Sequence, residues 1–117
     1  MQYLLLIYLE PPAEAPDQAQ LDAQMAEWWA YDDAIRKSGV YVDANALEPA
    51  TTATTLRLKD GERVVTDGPF AETREVLGGY YLVDVPDLDT ALDWAAKCPG
   101  AKYGSMEIRP TTVFERD

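Results

Sequence analysis

The densest polar chemistry in the chain lies at Asp67-Gly68-Pro69-Phe70-Ala71-Glu72-Thr73-Arg74-Glu75. An aspartate ahead of Gly-Pro can accept backbone N–H bonds in an Asx-turn, Gly68 supplies a conformation that a larger residue resists, and Pro69 fixes φ. The same rigidity would hold the Asp67 carboxylate at a cleft mouth as a general base or ligand anchor. Phe70 is read first as a core or interface plug and second as a ligand platform. Glu72 and Glu75 are three apart, which places them on one side of a helical turn with Arg74 between them. A solvated face or an intersubunit salt bridge explains that trio better than a hard-cation site, since no loop has calcium spacing.

Further candidates lie outside this stretch. Tyr80 and Tyr81 are consecutive in an apolar run, so on a strand they point to opposite faces, one under the helices and one toward a cavity. Tyr81 is taken as the hydroxyl that could orient a ligand. Arg109, on the last strand, could hold an anionic ligand or pair with an acid. Asp32 falls on the apolar stripe of a predicted helix. It either sits at the stripe's boundary in water or aims a carboxylate at a pocket beneath the helix. Cys98-Pro99 marks a helix terminus, with nothing nearby to lower the thiol pKa.

Composition removes whole classes of function. The 117 residues suit one domain spanning the chain, with twenty-one acids against ten bases and a formal charge of −11. The ten cations are scattered, so direct nucleic-acid binding is disfavoured, whereas a basic protein partner is not. There is no histidine and a single cysteine, which excludes a zinc site and a Ser-His or Cys-His triad. No metal and no cofactor is expected. The lone thiol points to a reducing, cytoplasmic setting. No apolar run approaches the ~20 residues of a membrane span. Met1 to Leu9 lacks a basic start and a small-residue cleavage site, and reads as a buried strand rather than a signal sequence.

These residues must be positioned by a regular alternation of elements. Tyr3–Leu9 predicts a strand buried on both faces, ended by Glu10-Pro11-Pro12. Asp17 offers an N-cap for a helix to about Ser38, closed by Gly39, with Leu21, Met25, Trp28 and Ile35 on one face. Val40–Leu47 is a second strand. Thr54–Lys59 and Arg63–Thr66 flank Asp60-Gly61, a hairpin turn signal. Gly78-Gly79 opens the strand Tyr80–Val85, the pair allowing a bulge or close backbone approach. Asp87 or Asp89 caps a second helix stopped by Pro99-Gly100, and Ser105–Arg109 is the last strand.

The order contains two βαβ units separated by a hairpin, which predicts an α+β ferredoxin-like sandwich with both helices on one sheet face. Tyr3–Leu9 and Tyr80–Val85 are apolar on both faces, more than a monomer usually exposes. The expectation is a homodimer whose sheets pack face to face as a dimeric α/β barrel.

Asp67 to Glu75, followed by Leu77-Gly78-Gly79-Tyr80-Tyr81, resembles the DGPF-domain branch of the YCII-related family. The resemblance extends through Val85-Pro86-Asp87-Leu88-Asp89, Ala91 to Ala96, Cys98-Pro99 and Glu107 to Pro110, and includes Gly39-Val40 and Leu47-Glu48-Pro49. It implies a dimeric ferredoxin-like α/β barrel. Many members of the wider family place a histidine and an aspartate together in a cleft, and one relative type removes chloride from a chlorinated aromatic. This chain has no histidine, some relatives carrying one near the positions of Glu48 or Tyr103, so that dyad cannot operate here. Genes of the branch often lie beside those of extracytoplasmic-function sigma factors. Two functions follow as expectations. One is a small-molecule cleft near Asp67, enzymatic or not, with Asp67 as general base and Tyr81, Arg109, Phe70 and Asp32 as ligand contacts. The other is a non-enzymatic accessory protein contacting a sigma-factor-type regulator.

Overall fold

The computed structural model describes residues 1–115. Strand β1 (Gln2–Leu9) leads to helix α1 (Gln18–Lys37) and strand β2 (Tyr41–Ala46). A 3-10 turn at Ala50–Thr52 precedes the hairpin strands β3 (Thr54–Lys59) and β4 (Glu62–Asp67). Strand β5 (Val76–Asp84), helix α2 (Leu88–Lys97), the short helix α3 (Pro99–Tyr103) and strand β6 (Gly104–Pro110) complete the chain.

Local chemistry sets the boundaries. The Asp17 carboxylate accepts from the Gln20 N–H at 2.8 Å, and the Gln20 side chain accepts from the Asp17 N–H at 3.0 Å, a reciprocal capping box. Gly39, at φ +89°, ends α1 in the left-handed region that a side chain disfavours. Asp87 caps α2 by accepting from Thr90, which settles the choice between Asp87 and Asp89. Helix α2 stops at Lys97, ahead of Pro99 as expected. Pro99 also starts the short α3, because proline at the first helical position lacks only an N–H that would have no intrahelical partner.

Four strands form one sheet in the order β2-β5-β1-β6, every neighbouring pair antiparallel. The units β1-α1-β2 and β5-α2-β6 are therefore interleaved, and the architecture is mixed α+β. The sheet of a single chain is open; no closed barrel exists among the described residues. Tyr3, Leu5 and Ile7 of β1, with Tyr81 and Val83 of β5, face Tyr31 and Ile35 of α1 and Ala91 and Ala95 of α2 in one core. The opposite face presents Leu4, Leu6 and Tyr8 beside Leu82 and Tyr80, half-buried and uncovered by any helix.

Three sequence expectations are corrected. Strand β5 starts at Val76, so Gly78-Gly79 lie inside it; the register with β1 shifts there, Ile7 facing Gly79 and Tyr8 facing Leu77. The glycines thus accommodate a bulge. Glu72 to Glu75 form no helical turn but an irregular connection, Arg74 pairing with Glu10 at 3.1 Å and Glu75 accepting from the Ser105 hydroxyl. Only part of the α1 stripe is covered, for Leu21 and Met25 are exposed while Trp28, Tyr31 and Ile35 reach the core.

Candidate functional site

Helix α1 crosses the sheet over β5 and β2, and its inward face brings Asp32 above Tyr81. The Tyr81 hydroxyl donates to Asp32 Oδ1 at 2.7 Å, and Arg36 Nε donates to Asp32 Oδ2 at 2.7 Å. Both carboxylate oxygens are thus held by donors from two different elements. Arg36 is one turn further along α1, and its guanidinium also rests 4.4 Å from the Tyr41 ring centroid on β2. The Tyr81 ring is braced edge-on by Tyr31 at 5.3 Å and by Tyr41 at 6.4 Å. Tyr31 is itself pinned by donating to the Trp94 carbonyl at 2.9 Å. A rigid aromatic frame therefore fixes the hydroxyl that orients Asp32.

The electrostatics follow from burial and charge. Removal from water, then the hydrogen bond to the Asp32 carboxylate, pushes the Tyr81 phenol well above its ordinary range, so it stays a neutral donor. Burial does the same to Tyr31. The bond to Asp32 raises the Arg36 guanidinium further still, keeping it cationic. Burial pushes the Cys98 thiol up to about 11, which leaves it unreactive.

Beside this cluster opens a cavity of about 390 Å³, within the range of small-molecule sites. Its walls are chiefly apolar and aromatic, with Met25, Trp28 and Trp29 from α1, Ile7 and Leu9 from β1, and Ala44 and Ala46 from β2. Gly78 and Gly79 form part of the lining, and a Cβ at Gly79 would stand 2.7 Å from the Asn45 carbonyl oxygen. Among the lining residues Asp32, Arg36 and Tyr81 form the hydrogen-bonded polar cluster, with Asn45 and Tyr80 also on the lining. The Asp32 side chain retains 18% of its exposure, enough for its spare lone pairs to accept a bond from a ligand donor. No three acid, cysteine or histidine side chains converge on a metal-sized space among the described residues.

The sequence-selected residues do not assemble at one place. Asp32 and Tyr81 share the cavity. Asp67 is exposed at the end of β4 opposite Thr54 and does not line that cavity. The turn after it is held through its own backbone groups, by one backbone and two side-chain partners. The Gly68 N–H donates to Ala53 O at 2.6 Å, Thr55 Oγ1 donates to Gly68 O, and Arg57 donates to Phe70 O. Gly68 has φ +101°, the left-handed conformation that explains its identity. Phe70 is 78% exposed and so is no core plug. Arg109 lies on the uncovered sheet face, paired with Glu107 two residues before it. Arg36, Tyr41 and Tyr31 were missed by sequence reading. The i,i+4 spacing of Asp32 and Arg36 was the available signal for the first. The other two depend on which strand lies beneath α1.

The YCII-related domain matches residues 1–115, and the chain belongs to the YCII-related family. It is similar to an uncharacterized protein of Rhizobium meliloti (strain 1021), 49% identical over 71 residues, covering 59% of this chain and 57% of that protein. The match thus spans little more than half of that relative's length. No helix among the described residues is long and apolar enough to cross a membrane.

Proposed function

We propose that the protein binds a small molecule in the cavity beneath α1, with Asp32 as its polar anchor, and that it works as a homodimer. The observation that carries the reading is the Asp32 carboxylate, fixed by Tyr81 and Arg36 at the edge of a chiefly apolar cavity. Such a site favours a ligand with a flat apolar body and one O–H or N–H donor. Trp28 and Trp29 supply faces for the body and Asp32 accepts from the donor. If the ligand is turned over, Asp32 is the base, since its carboxylate, held by the Tyr81 hydroxyl and the Arg36 guanidinium, sits within reach of the ligand's proton. The reading moves the site from the Asp67 turn to α1 and β5.

The dimer belongs to the same proposal. Interleaved βαβ units with both helices on one face describe a ferredoxin-like sandwich. The other face, with Leu4, Leu6, Tyr8 and Leu82, supports packing against the same face of a second copy as a dimeric α/β barrel. A single buried thiol supports a reducing, cytoplasmic setting.

Phenol is the test probe. Titrated against tryptophan emission, it should bind saturably, and Asp32→Asn should weaken it at least about fivefold, as expected for loss of a charged acceptor. Asp67→Asn should leave the affinity unchanged. Equal affinity of wild type and Asp32→Asn would overturn the reading. The net charge of −11 favours a second reading, contact with a basic regulatory protein of the sigma-factor type, which predicts an association weakened by salt.

A further inference from the structure

Strands β3 and β4 pair with each other and stand apart from the main sheet. The chain's radius of gyration, 16.7 Å, exceeds the ~13 Å of a compact chain of this length, as expected when a ribbon projects. A free two-stranded hairpin is marginal in water even with a good turn. The turn here is good: Asp60 at φ 51° and Gly61 at φ 79° take the paired left-handed conformation that matches strand twist.

The register determines what the ribbon offers. Leu56 faces Val65 and Leu58 faces Arg63, so Leu56, Leu58 and Val65 form one apolar stripe on one side. Their exposures are 56, 71 and 62%. Side chains this apolar at the solvent side of an isolated ribbon need a cover. Phe70, at the ribbon's root, is exposed as well.

We infer that the β3–β4 ribbon is a dimerisation arm whose Leu56, Leu58 and Val65 stripe is covered by a second copy of this chain. The inference rests on the homodimer proposed above and names the surface that would lock it. Charge suits that occupant. Residues 54–67 carry three cations (Arg57, Lys59, Arg63) and three acids (Asp60, Glu62, Asp67), so the arm is neutral and the whole −11 resides elsewhere. Two copies repel each other through their bodies, and the arm is a segment that meets an acidic partner without that repulsion. Its six-residue strands reach about 20 Å, the width of a four-stranded sheet. The arm leaves the body after edge strand β2 and returns into β5, and at its root Pro69 and Phe70 share a recess with Tyr8 of the uncovered sheet face, which places the arm at the margin of a sheet-to-sheet contact. In a two-fold dimer each copy gives one arm and receives one.

Sedimentation of the full chain tests this, with Leu56→Asp/Leu58→Asp as the arm variant and Leu6→Asp as the sheet-face variant. Both are compared with wild type across about 0.1–100 μM, a range that brackets micromolar dimer dissociation constants. The arm variant should keep its far-UV circular dichroism and raise the dimer dissociation constant at least about 100-fold. In wild type, amide exchange across residues 54–67 should be slowed at high concentration and fast on dilution. An arm variant whose dissociation constant stays within about threefold of wild type, while Leu6→Asp dissociates, overturns the arm and leaves the dimer standing. A wild-type monomer throughout the range overturns both. Should the arm variant lose its fold, wild-type exchange decides: rates at residues 54–67 that do not change with dilution overturn the arm.

Discussion

Replacing Tyr81 by phenylalanine tests whether the Tyr81–Asp32 bond organises the site. The substitution deletes one hydroxyl and leaves the ring, which keeps its edge-on contact with Tyr31 at 5.3 Å, so no cavity opens. What disappears is a donor 2.7 Å from a carboxylate oxygen. A hydrogen bond to a charged group contributes about 1.5–3 kcal/mol net. Asp32 keeps Arg36 on its other oxygen and retains 18% side-chain exposure, so water can replace part of the loss. The expected destabilisation is the lower end, about 1.5 kcal/mol. With a urea slope near 1.5 kcal/mol per molar, this lowers the unfolding midpoint by about 1 M at unchanged slope. Tryptophan emission reports the transition, at one fixed protein concentration because association shifts apparent stability. A sign also follows for pH. The Tyr81 phenol's folded pKa lies above its ordinary value near 10, so its contribution is complete below about pH 10 and is lost as pH rises beyond it. Tyr81→Phe should therefore show a shallower alkaline loss of stability than wild type. A double-mutant cycle with Asp32→Asn should return a coupling of at least about 0.5 kcal/mol. A coupling indistinguishable from zero, with a midpoint shift under about 0.2 M, would refute a Tyr81–Asp32 bond that matters in solution.

Gly79→Ala should destabilise by more than about 2 kcal/mol, because the new Cβ would stand 2.7 Å from a backbone carbonyl of β2 and must part the β2–β5 pairing that walls the cavity; calorimetry checks it. Cys98 is raised to about 11 by burial, so its contribution is full below about pH 9 and falls away through pH 11; Cys98→Ala should flatten that part of a stability–pH profile. Asp67→Asn, at an exposed position, should change stability by less than about 0.5 kcal/mol in a urea melt. Gly68→Ala should cost about 1 kcal/mol or more, since alanine resists φ +101°.

Backbone chemistry was legible where one local rule decided it. Asp17 with Gln20, Gly39 after α1, and Asp60-Gly61 between two alternating runs each specify their element from within a few residues. Tyr80 and Tyr81 were assigned to opposite faces from strand period alone, and Tyr81 lies under α1. Gly78-Gly79 carry the bulge in their identity, yet β5 begins ahead of them at Val76, because the pairing with β1 continues past the bulge to Leu9. The site was harder to read because its geometry is non-local. Asp32 meets Tyr81 across forty-nine positions of sequence, and no spacing rule announces such a pair. Asp67 drew attention for the opposite reason. Its neighbours Gly68 and Pro69 concentrate constraint, and constraint serves a turn as readily as a catalytic group.

The Asp67 turn and the Asp32 cavity are nevertheless joined by one piece of sheet. Ala44, Asn45 and Ala46 at the end of β2 line the cavity, and Leu47, immediately after them, donates its N–H to Gly78 O at 2.9 Å. Gly78 and Gly79 line the same cavity from β5. Beyond Leu47 the chain passes into the 3-10 turn, and its last residues meet the Asp67 turn where Gly68 N–H donates to Ala53 O. Whatever covers the β3–β4 ribbon therefore fixes the strand end that closes one side of the cavity. A ribbon ordered by a second copy would hold Ala44 to Ala46 in place and stiffen the wall opposite Asp32, so ligand affinity and dimerisation should rise and fall together. Phenol affinity measured above and below the dimer dissociation constant reads this coupling. Equal affinities in the two regimes would mean that the ribbon and the cavity act independently.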